Sequence, residues 1–474
     1  MVFSSHIFMF YFLPLVLLFY YLLPFTWKGI YIRNSFLTLA SYVFYGWNEP
    51  WFVILMWIST VLDFSAGKLI SHTGATQRQK NLGLLLSCVG NLSLLGFFKY
   101  YMFVMGGLNS IIEFFGGSPG TFYVMNVTLP IGISFYTFQT MSYTIEVWRG
   151  NVAPAKNFAT FSCFVALFPQ LIAGPIIRYI DVAEQLSERK HTYNKFASGA
   201  AIFITGLSKK ILLANPAGAI ADAAFGADSP TQLTAWWGVL AYHFQIYFDF
   251  CGYSDMAVGL GRMFGFEFIK NFNAPYHSIS ITDFWRRWHI SLSNWIMDYL
   301  YIPLGGNRKG KARTYFNLLI AFFLSGLWHG ANLTFVAWGL FQAFFLITER
   351  MMGKKSIYHR LPHLPKVILT NIIVLFGWVL FRAPDINQAL AYWKVMLGIS
   401  GHNDASMMLQ AQIMSLPHLF SMLLCAIMVW QPVQAYDWVK NLRGYKYALT
   451  GAVFILAIAV MFSQTFNPFL YFQF

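Results

Sequence analysis

Long apolar runs alternate with short polar connectors along almost the whole chain. The first run, Ile7 to Pro24, has no positively charged residue before it and exceeds the core of a signal peptide, so it reads as a first membrane span. Lys28 and Arg33 follow, which places that loop in the cytoplasm and the N-terminus outside. Phe36 to Trp47 then returns outward and Trp51 to Ile70 comes back, with Lys68, Arg78 and Lys80 at the inner end. Leu82 to Met105 leads to a loop, Gly106 to Val127, that holds Glu113 but no Lys or Arg. Leu129 to Trp148 returns to Arg149 and Lys156. Runs of this length suit helices, which need about 20 residues to cross the hydrocarbon core. The short alternating segments of a barrel are absent from the pattern.

Three stretches depart from simple spans. Phe158 to Ile177 contains Pro169, Gly174 and Pro175, so it is either a re-entrant element or a kinked span. Phe196 to Phe225 carries Lys209-Lys210 at its middle, which suggests two short helices with snorkelling lysines. The third runs from Asp283 to Gly330. Its basic loop, Arg308 to Arg313, and the later basic cluster, Arg350 to Arg360, belong on the cytoplasmic side, so Thr314 to Thr348 must leave and return. Each leg then measures roughly 25 Å of helix. Gly326 and Gly330 supply the bend, and His329 falls at the apex, deep in the membrane. Farther on, Gln388 to Met396 has the spacing of an amphipathic helix at the outer interface. The chain makes roughly ten to twelve crossings or dips. It reads as a single integral membrane domain over residues 1–474, including an aromatic tail at 466–474.

Composition agrees with this class. Hydrophobic residues make up 57% of the chain and charged residues 11%, against about a quarter charged in a soluble domain. The net charge of +14 lies in short loops, as the positive-inside rule requires. No separate basic domain is present to grip a duplex, so nucleic acid is excluded as a partner and membrane lipids are expected around the chain. Cys88, Cys163, Cys251 and Cys425 lie far apart in apolar sequence, with neither metal-ligand nor disulfide spacing.

Charge and imidazole placed at membrane depth mark functional pathways. A buried imidazole at position 329 stays neutral, which suits a general base. The competing reading is a structural histidine bonded between helices. Trp328 beside it, the two nearby glycines and a second histidine favour function. Asn332, three residues on, is placed to orient the ring or to donate to an oxyanion if the helix continues. His289 orients a substrate, lines the route to His329, or pairs with Asp283 or Asp298. Arg286, Arg287 and Arg308, with Lys309 and Lys311, suit the phosphates of a nucleotide carrier, although topology alone accounts for the two lysines. Asp249 and Asp255, six apart around Gly252, form a relay, pair with Arg262, or shape a helix end. Tyr471, in the sequence Phe469-Leu470-Tyr471-Phe472-Gln473-Phe474, either anchors the tail at the interface or accepts an acyl group beside a base. The same features also fit a transporter of an acylated or lipid-linked species, or a structural partner in an envelope complex.

Tyr247 to Met256, Asn271-Phe272-Asn273, Phe284 to Ser293, Asp298 to Arg308 and Gly326 to Ala331 together resemble the membrane-bound O-acyltransferase (MBOAT) family, in its bacterial branch typified by alginate O-acetyltransferase. The resemblance covers nearly the whole chain. It implies an all-α polytopic membrane protein, a helical bundle with re-entrant segments around a transmembrane tunnel, in the bacterial cytoplasmic (inner) membrane. It also implies that His329 takes the position of the essential histidine and His289 that of the second signature histidine. Arg286, Arg287, Arg308, Asn332, Asp255 and Trp328 are then candidates for substrate binding. Related D-alanine transfer systems use a C-terminal Phe-x-Tyr-x-x-Phe peptide, which Phe469, Tyr471 and Phe474 match. The implied activity moves an acetyl group from acetyl-CoA, a donor substrate with no bound cofactor. The implied acceptor is an exported polysaccharide, alginate-like or peptidoglycan, reached through a periplasmic or extracellular SGNH-type acetyltransferase. Cys251 stands where that branch often has a small hydroxyl residue.

Overall fold

The apolar runs become helices in a computed structural model that describes residues 1–27, 31–172, 174–399, 404–464 and 470, and no β-strand occurs among the described residues. The chain packs as two units, 1–200 with 257–269 and 201–256 with 270–474. By length and apolarity alone, five described helices suffice to cross a membrane, or six if the bent pair 407–413 and 416–429 is one span.

The first unit holds α1 (Leu13–Leu22), α2 (Ile32–Tyr45), α3 (Phe52–Ser71), α4 (Gln77–Leu95), α5 (Tyr101–Phe114), α6 (Ile133–Arg149), α7 (Phe158–Ala166), α8 (Tyr179–Ser187) and the start of α9 (Tyr193–Ser208). Local chemistry sets the helix starts. Thr76 and Gln79 form a reciprocal capping box at the head of α4. The Asn157 side chain accepts the Thr160 N–H at 2.8 Å and opens α7. The Pro169–Pro175 stretch does break the helix. After α7 comes a four-residue helix, Phe168–Leu171, that is wholly buried in protein. Its loosened backbone is satisfied locally: Phe168 N–H donates to Ser41 Oγ at 3.0 Å, and Gln170 Nε2 donates to the Phe164 carbonyl at 2.9 Å. Broken backbone at membrane depth requires such partners.

The interior of this unit is polar where helices meet. Asp63 on α3 is fully buried and accepts from Ser87, from Thr144 Oγ1 at 2.9 Å and from Asn91 Nδ2 at 2.7 Å. The donors come from α4 and α6, so one carboxylate ties three helices together.

The second unit holds the rest of α9, then α10 (Asn215–Phe225), most of α11 (Gln232–Met263), α12 (Ile281–Arg287), α13 (Ile290–Ile296), α14 (Lys311–His329), α15 (Leu333–Met352), α16 (His363–Arg382), α17 (Ile386–Met396), α18 (Leu416–Val429) and α19 (Tyr445–Ser463). Lys209 and Lys210 correct the sequence expectation. They do not snorkel between two short helices; a π-turn, Lys209–Ala214, carries one continuous helical run from Tyr193 to Phe225, and both lysines are buried. Lys209 Nζ lies 2.7 Å from Asp255 and Lys210 Nζ 2.6 Å from Asp249. Gly206 and Gly252 allow the approach, because a Cβ on either would strike the other's carbonyl oxygen. Arg262 faces Glu267 at 3.5 Å. Arg382 pairs with Asp222 at 2.7 Å. The amphipathic α17 is capped by Asp385 and buries Ala389, Tyr392, Val395 and Met396 along one face.

Candidate active site at the α14–α15 hairpin

Helices α14 and α15 form the expected hairpin, with legs of 19 and 20 residues. The glycines work differently from the sequence expectation. Gly326 does not bend the chain. It lies inside α14, where a Cβ would strike the Phe335 carbonyl and approach the Gly339 Cα on α15. The helices therefore cross backbone to backbone. The bend comes after His329, the last residue of α14, where Gly330 is extended and packs on the Phe335 ring. Because the helix stops there, Asn332 is not one turn above His329. Its Oδ1 caps α15 by accepting the Thr334 N–H at 3.1 Å, and its Nδ2 donates to the Pro384 carbonyl at 2.7 Å.

His329 is buried among aromatic rings. Its centroid lies 5.0 Å from Trp328, 5.1 Å from Trp338 and 5.1 Å from Phe381, all edge-on. It lines a small cavity of about 20 Å³ together with Ile246, Asp249, Phe250, Trp288, Trp338, Trp378, Phe381 and Leu470. That space admits about one water. An imidazole in such an aromatic, water-poor setting is suited to taking a proton from a hydroxyl placed beside it.

The second histidine is held by a separate turn. His289 adopts a left-handed conformation, φ 44°, between α12 and α13, a region uncommon for residues other than glycine. Asn271 over-determines it. The Asn271 Oδ1 accepts from Ser291 Oγ at 2.8 Å and from the Ser291 N–H at 3.2 Å, and lies 3.2 Å from His289 Nδ1. Two backbone bonds, both 2.9 Å, fix the turn at each end: the Ile290 N–H donates to the Asn271 carbonyl, and the Asn273 N–H donates to the Arg287 carbonyl. His289 Nε2 has no hydrogen-bond partner among the described residues. The ring packs 4.7 Å from Phe250 and 6.1 Å from Trp328, so the Trp328 indole contacts both histidines. The expected pairing of His289 with Asp283 does not form. Its Nδ1 faces Asn271, and Asp283 takes Arg287 Nε at 3.0 Å. Upstream, Glu349 on α15 receives the Ile281 and Thr282 N–H groups at 2.7 and 3.0 Å and so fastens the start of α12.

The remaining candidates fall elsewhere. Arg286 and Arg308 are exposed and do not line the His329 cavity. Asp255 is taken up by Lys209, with Cys251 Sγ 3.4 Å from the same ammonium. Tyr471 lies outside the described residues, but its neighbour Leu470 lines the cavity. Among the described residues no group of three or more His, Cys, Asp or Glu is placed to hold a metal.

Several residues of the site escape a reading of the sequence. The spacing of Asp249 suggests Asp255 or Arg262 as its company, and nothing in it points to His329. Trp338, Trp378 and Phe381 give only the signal of aromatics in apolar helices. His243, on α11, accepts from Trp378 Nε1 at 3.2 Å and stacks on Tyr276, which buttresses the cavity wall. Its one signal is a histidine inside an apolar run.

The sequence of this chain matches a known family and several known proteins. Residues 39–381 match the model of the membrane-bound O-acyltransferase family. The chain is 47% identical to the probable alginate O-acetylase AlgI of Pseudomonas aeruginosa, over 84% of this chain and 75% of that protein. It is 40% identical to the protein of the same name from Pseudomonas putida, over the full length of both. It is 36% identical to the peptidoglycan O-acetyltransferase of Helicobacter pylori, over 85% of this chain and 80% of that protein. The chain is a multi-pass membrane acyltransferase and belongs to the membrane-bound O-acyltransferase family.

Proposed function

We propose that this enzyme takes an acetyl group from cytoplasmic acetyl-CoA and passes it across the bacterial inner membrane for O-acetylation of an exported, alginate-like polysaccharide. His329 is the general base, and Tyr471 is the first acceptor. The imidazole takes the phenol proton, the phenolic oxygen attacks the thioester carbonyl, and the CoA thiolate leaves and recovers that proton. A hydroxyl of a periplasmic or extracellular SGNH-type partner then attacks the acetyl-tyrosine carbonyl, and the tyrosine oxygen leaves and takes up that hydroxyl's proton. His289 and Trp328 border the reacting site. Arg286, Arg287 and Arg308 hold the phosphates of the donor as bidentate forks.

One observation carries this reading: His329, at the hairpin apex, shares its cavity with Leu470, the residue that precedes Tyr471 in the chain. The names of the relatives supply the acceptor class. The Helicobacter pylori relative favours peptidoglycan as a second acceptor, and acetyl analysis of each polymer after gene deletion separates the two.

The test uses membrane vesicles supplied with acetyl-CoA and the partner protein. His329→Ala should lower acetyl transfer by about 10²- to 10⁴-fold, the range for loss of a general base, with protein abundance unchanged. Tyr471→Phe should abolish polymer acetylation. Full polymer acetylation by Tyr471→Phe would remove the tyrosine relay and leave the acyltransferase reading standing. Retained transfer by His329→Ala would remove the assignment of the base.

A further inference from the structure

The His329 cavity contains a carboxylate that the mechanism above does not use. Asp249 on α11 is 1% exposed. Its Oδ1 faces Lys210 Nζ at 2.6 Å, and its Oδ2 accepts the main-chain N–H of Leu470 at 2.9 Å. Leu470 is itself 4% exposed. One carboxylate oxygen thus faces the Lys210 ammonium and the other holds the Leu470 main chain. The donor is a backbone group, so Asp249 senses where the chain runs and not which side chain it carries. A second fastening lies nearer α19, where Gln464 Oε1 accepts from Asn215 Nδ2 at 3.0 Å. The buried lysine gives the carboxylate its counter-charge, and a charged acceptor binds an N–H more strongly than a neutral one.

We propose that Asp249, backed by Lys210, is a positioning residue that holds the backbone at Leu470 against the His329 cavity, and that acyl transfer through Tyr471 depends on this hold. This rests on the reading of Tyr471 as acyl acceptor. The consecutive lysines of the π-turn then have separate tasks. Lys209 joins two helices through Asp255, and Lys210 charges the carboxylate that docks the tail.

The experiment follows docking and chemistry separately. A variant with its four native cysteines replaced and Leu470→Cys added is labelled with a maleimide in membrane vesicles. In the parent background labelling should be slow, because position 470 is buried. Replacing the pair together, Lys210→Met with Asp249→Leu, avoids stranding a buried charge. Labelling should then rise about tenfold or more, the ratio carried by a charge-assisted bond. Acetyl transfer by the same pair of changes, with Leu470 native, should fall about tenfold in kcat with an unchanged KM for acetyl-CoA. Labelling at the parent rate would overturn the proposal.

Leu470→Pro supplies the second variant, since it deletes the N–H and leaves Asp249 and Lys210 untouched. Its loss of transfer should match that of the Lys210/Asp249 variant, and combining the two should add nothing. Multiplying losses would overturn the proposal. The underlying reading fails separately. If Tyr471→Phe keeps full transfer while labelling still follows Asp249, the tail docks but does not carry the acyl group. If Tyr471→Phe abolishes transfer while labelling ignores Asp249, the relay holds and the docking assignment falls.

Discussion

At the scale of single residues, the site depends on side chains that fix backbone. His289 sits in the left-handed region because its turn is held on both sides: after it Asn271 accepts from Ser291 through Oδ1 and from Ile290 through its carbonyl, and before it the Asn273 N–H donates to the Arg287 carbonyl. A left-handed residue other than glycine costs roughly 1–2 kcal/mol, so removing the clamp should release the turn. Asn271→Ala removes the side-chain acceptor of the buried Ser291 N–H and should destabilise the protein by about 2 kcal/mol. Transfer per folded molecule should fall at least severalfold, because His289 and its neighbour Trp288 move with the turn. Thermal unfolding in detergent and acetyl transfer measure the two effects, and unchanged transfer would show that the turn is structural only. The motif residues Asn271 and His289 are both legible in the sequence. Their partnership is not, because they stand 18 positions apart with no periodic signal to bring them together. Asn332 shows the opposite failure. Its proximity to His329 in sequence suggests a helical neighbour, but α14 ends at His329, and capping of α15 claims the amide.

At the scale of elements, the hairpin is the most readable feature. Two basic clusters bracket an apolar stretch of the right length, and charge alone forces it to turn back. What charge does not reveal is how closely the legs approach. Gly326 and Gly339 face each other without room for a Cβ on either. Gly326→Ala should therefore destabilise by about 1–3 kcal/mol through overpacking and displace His329, three residues on. Gly451→Ala is the matched control. Gly451 lies within α19, and a Cβ there would have no heavy atom within 4 Å. Gaining alanine there should be neutral or stabilising by up to about 1 kcal/mol. Opposite signs for the two variants in thermal unfolding, with lost transfer only for Gly326→Ala, would establish close packing as the reason for the glycine. Equal effects would remove it. The paired lysines and carboxylates are each visible in the sequence, but Lys209 and Asp255 stand 46 positions apart, and apolar periodicity does not encode their matching.

At the scale of the whole molecule, large apolar side chains face outward as well as inward, and a subset of polar groups is buried between helices. Leu15, Leu22, Leu85, Val89, Ile455 and Phe462 are all more than half exposed, as lipid-facing positions should be, whereas Asp63, Asn91 and Thr144 are buried. Sensitivity to pH should therefore enter from the loops outside the membrane. His191, between α8 and α9, is the best placed. Its Nε2 lies 2.9 Å from the Tyr20 hydroxyl, which donates to the Phe264 carbonyl and accepts from Arg189. Burial, then the nearby Arg33 and Arg189 guanidiniums and Lys195, push the imidazole down to about 4. In the unfolded chain it titrates near its ordinary value of about 6.5. The unfolded state thus binds a proton that the folded state refuses, and its contribution to stability, complete above pH of about 6.5, is lost as pH falls toward 4. The unfolding temperature of the solubilised protein should fall across that window. His191→Gln keeps a hydrogen-bonding side chain without the titration, and the difference between variant and parent should shrink as pH falls. A difference independent of pH between about 7.5 and 4.5, the span that brackets both titrations, would rule out His191 as the acid-sensitive group.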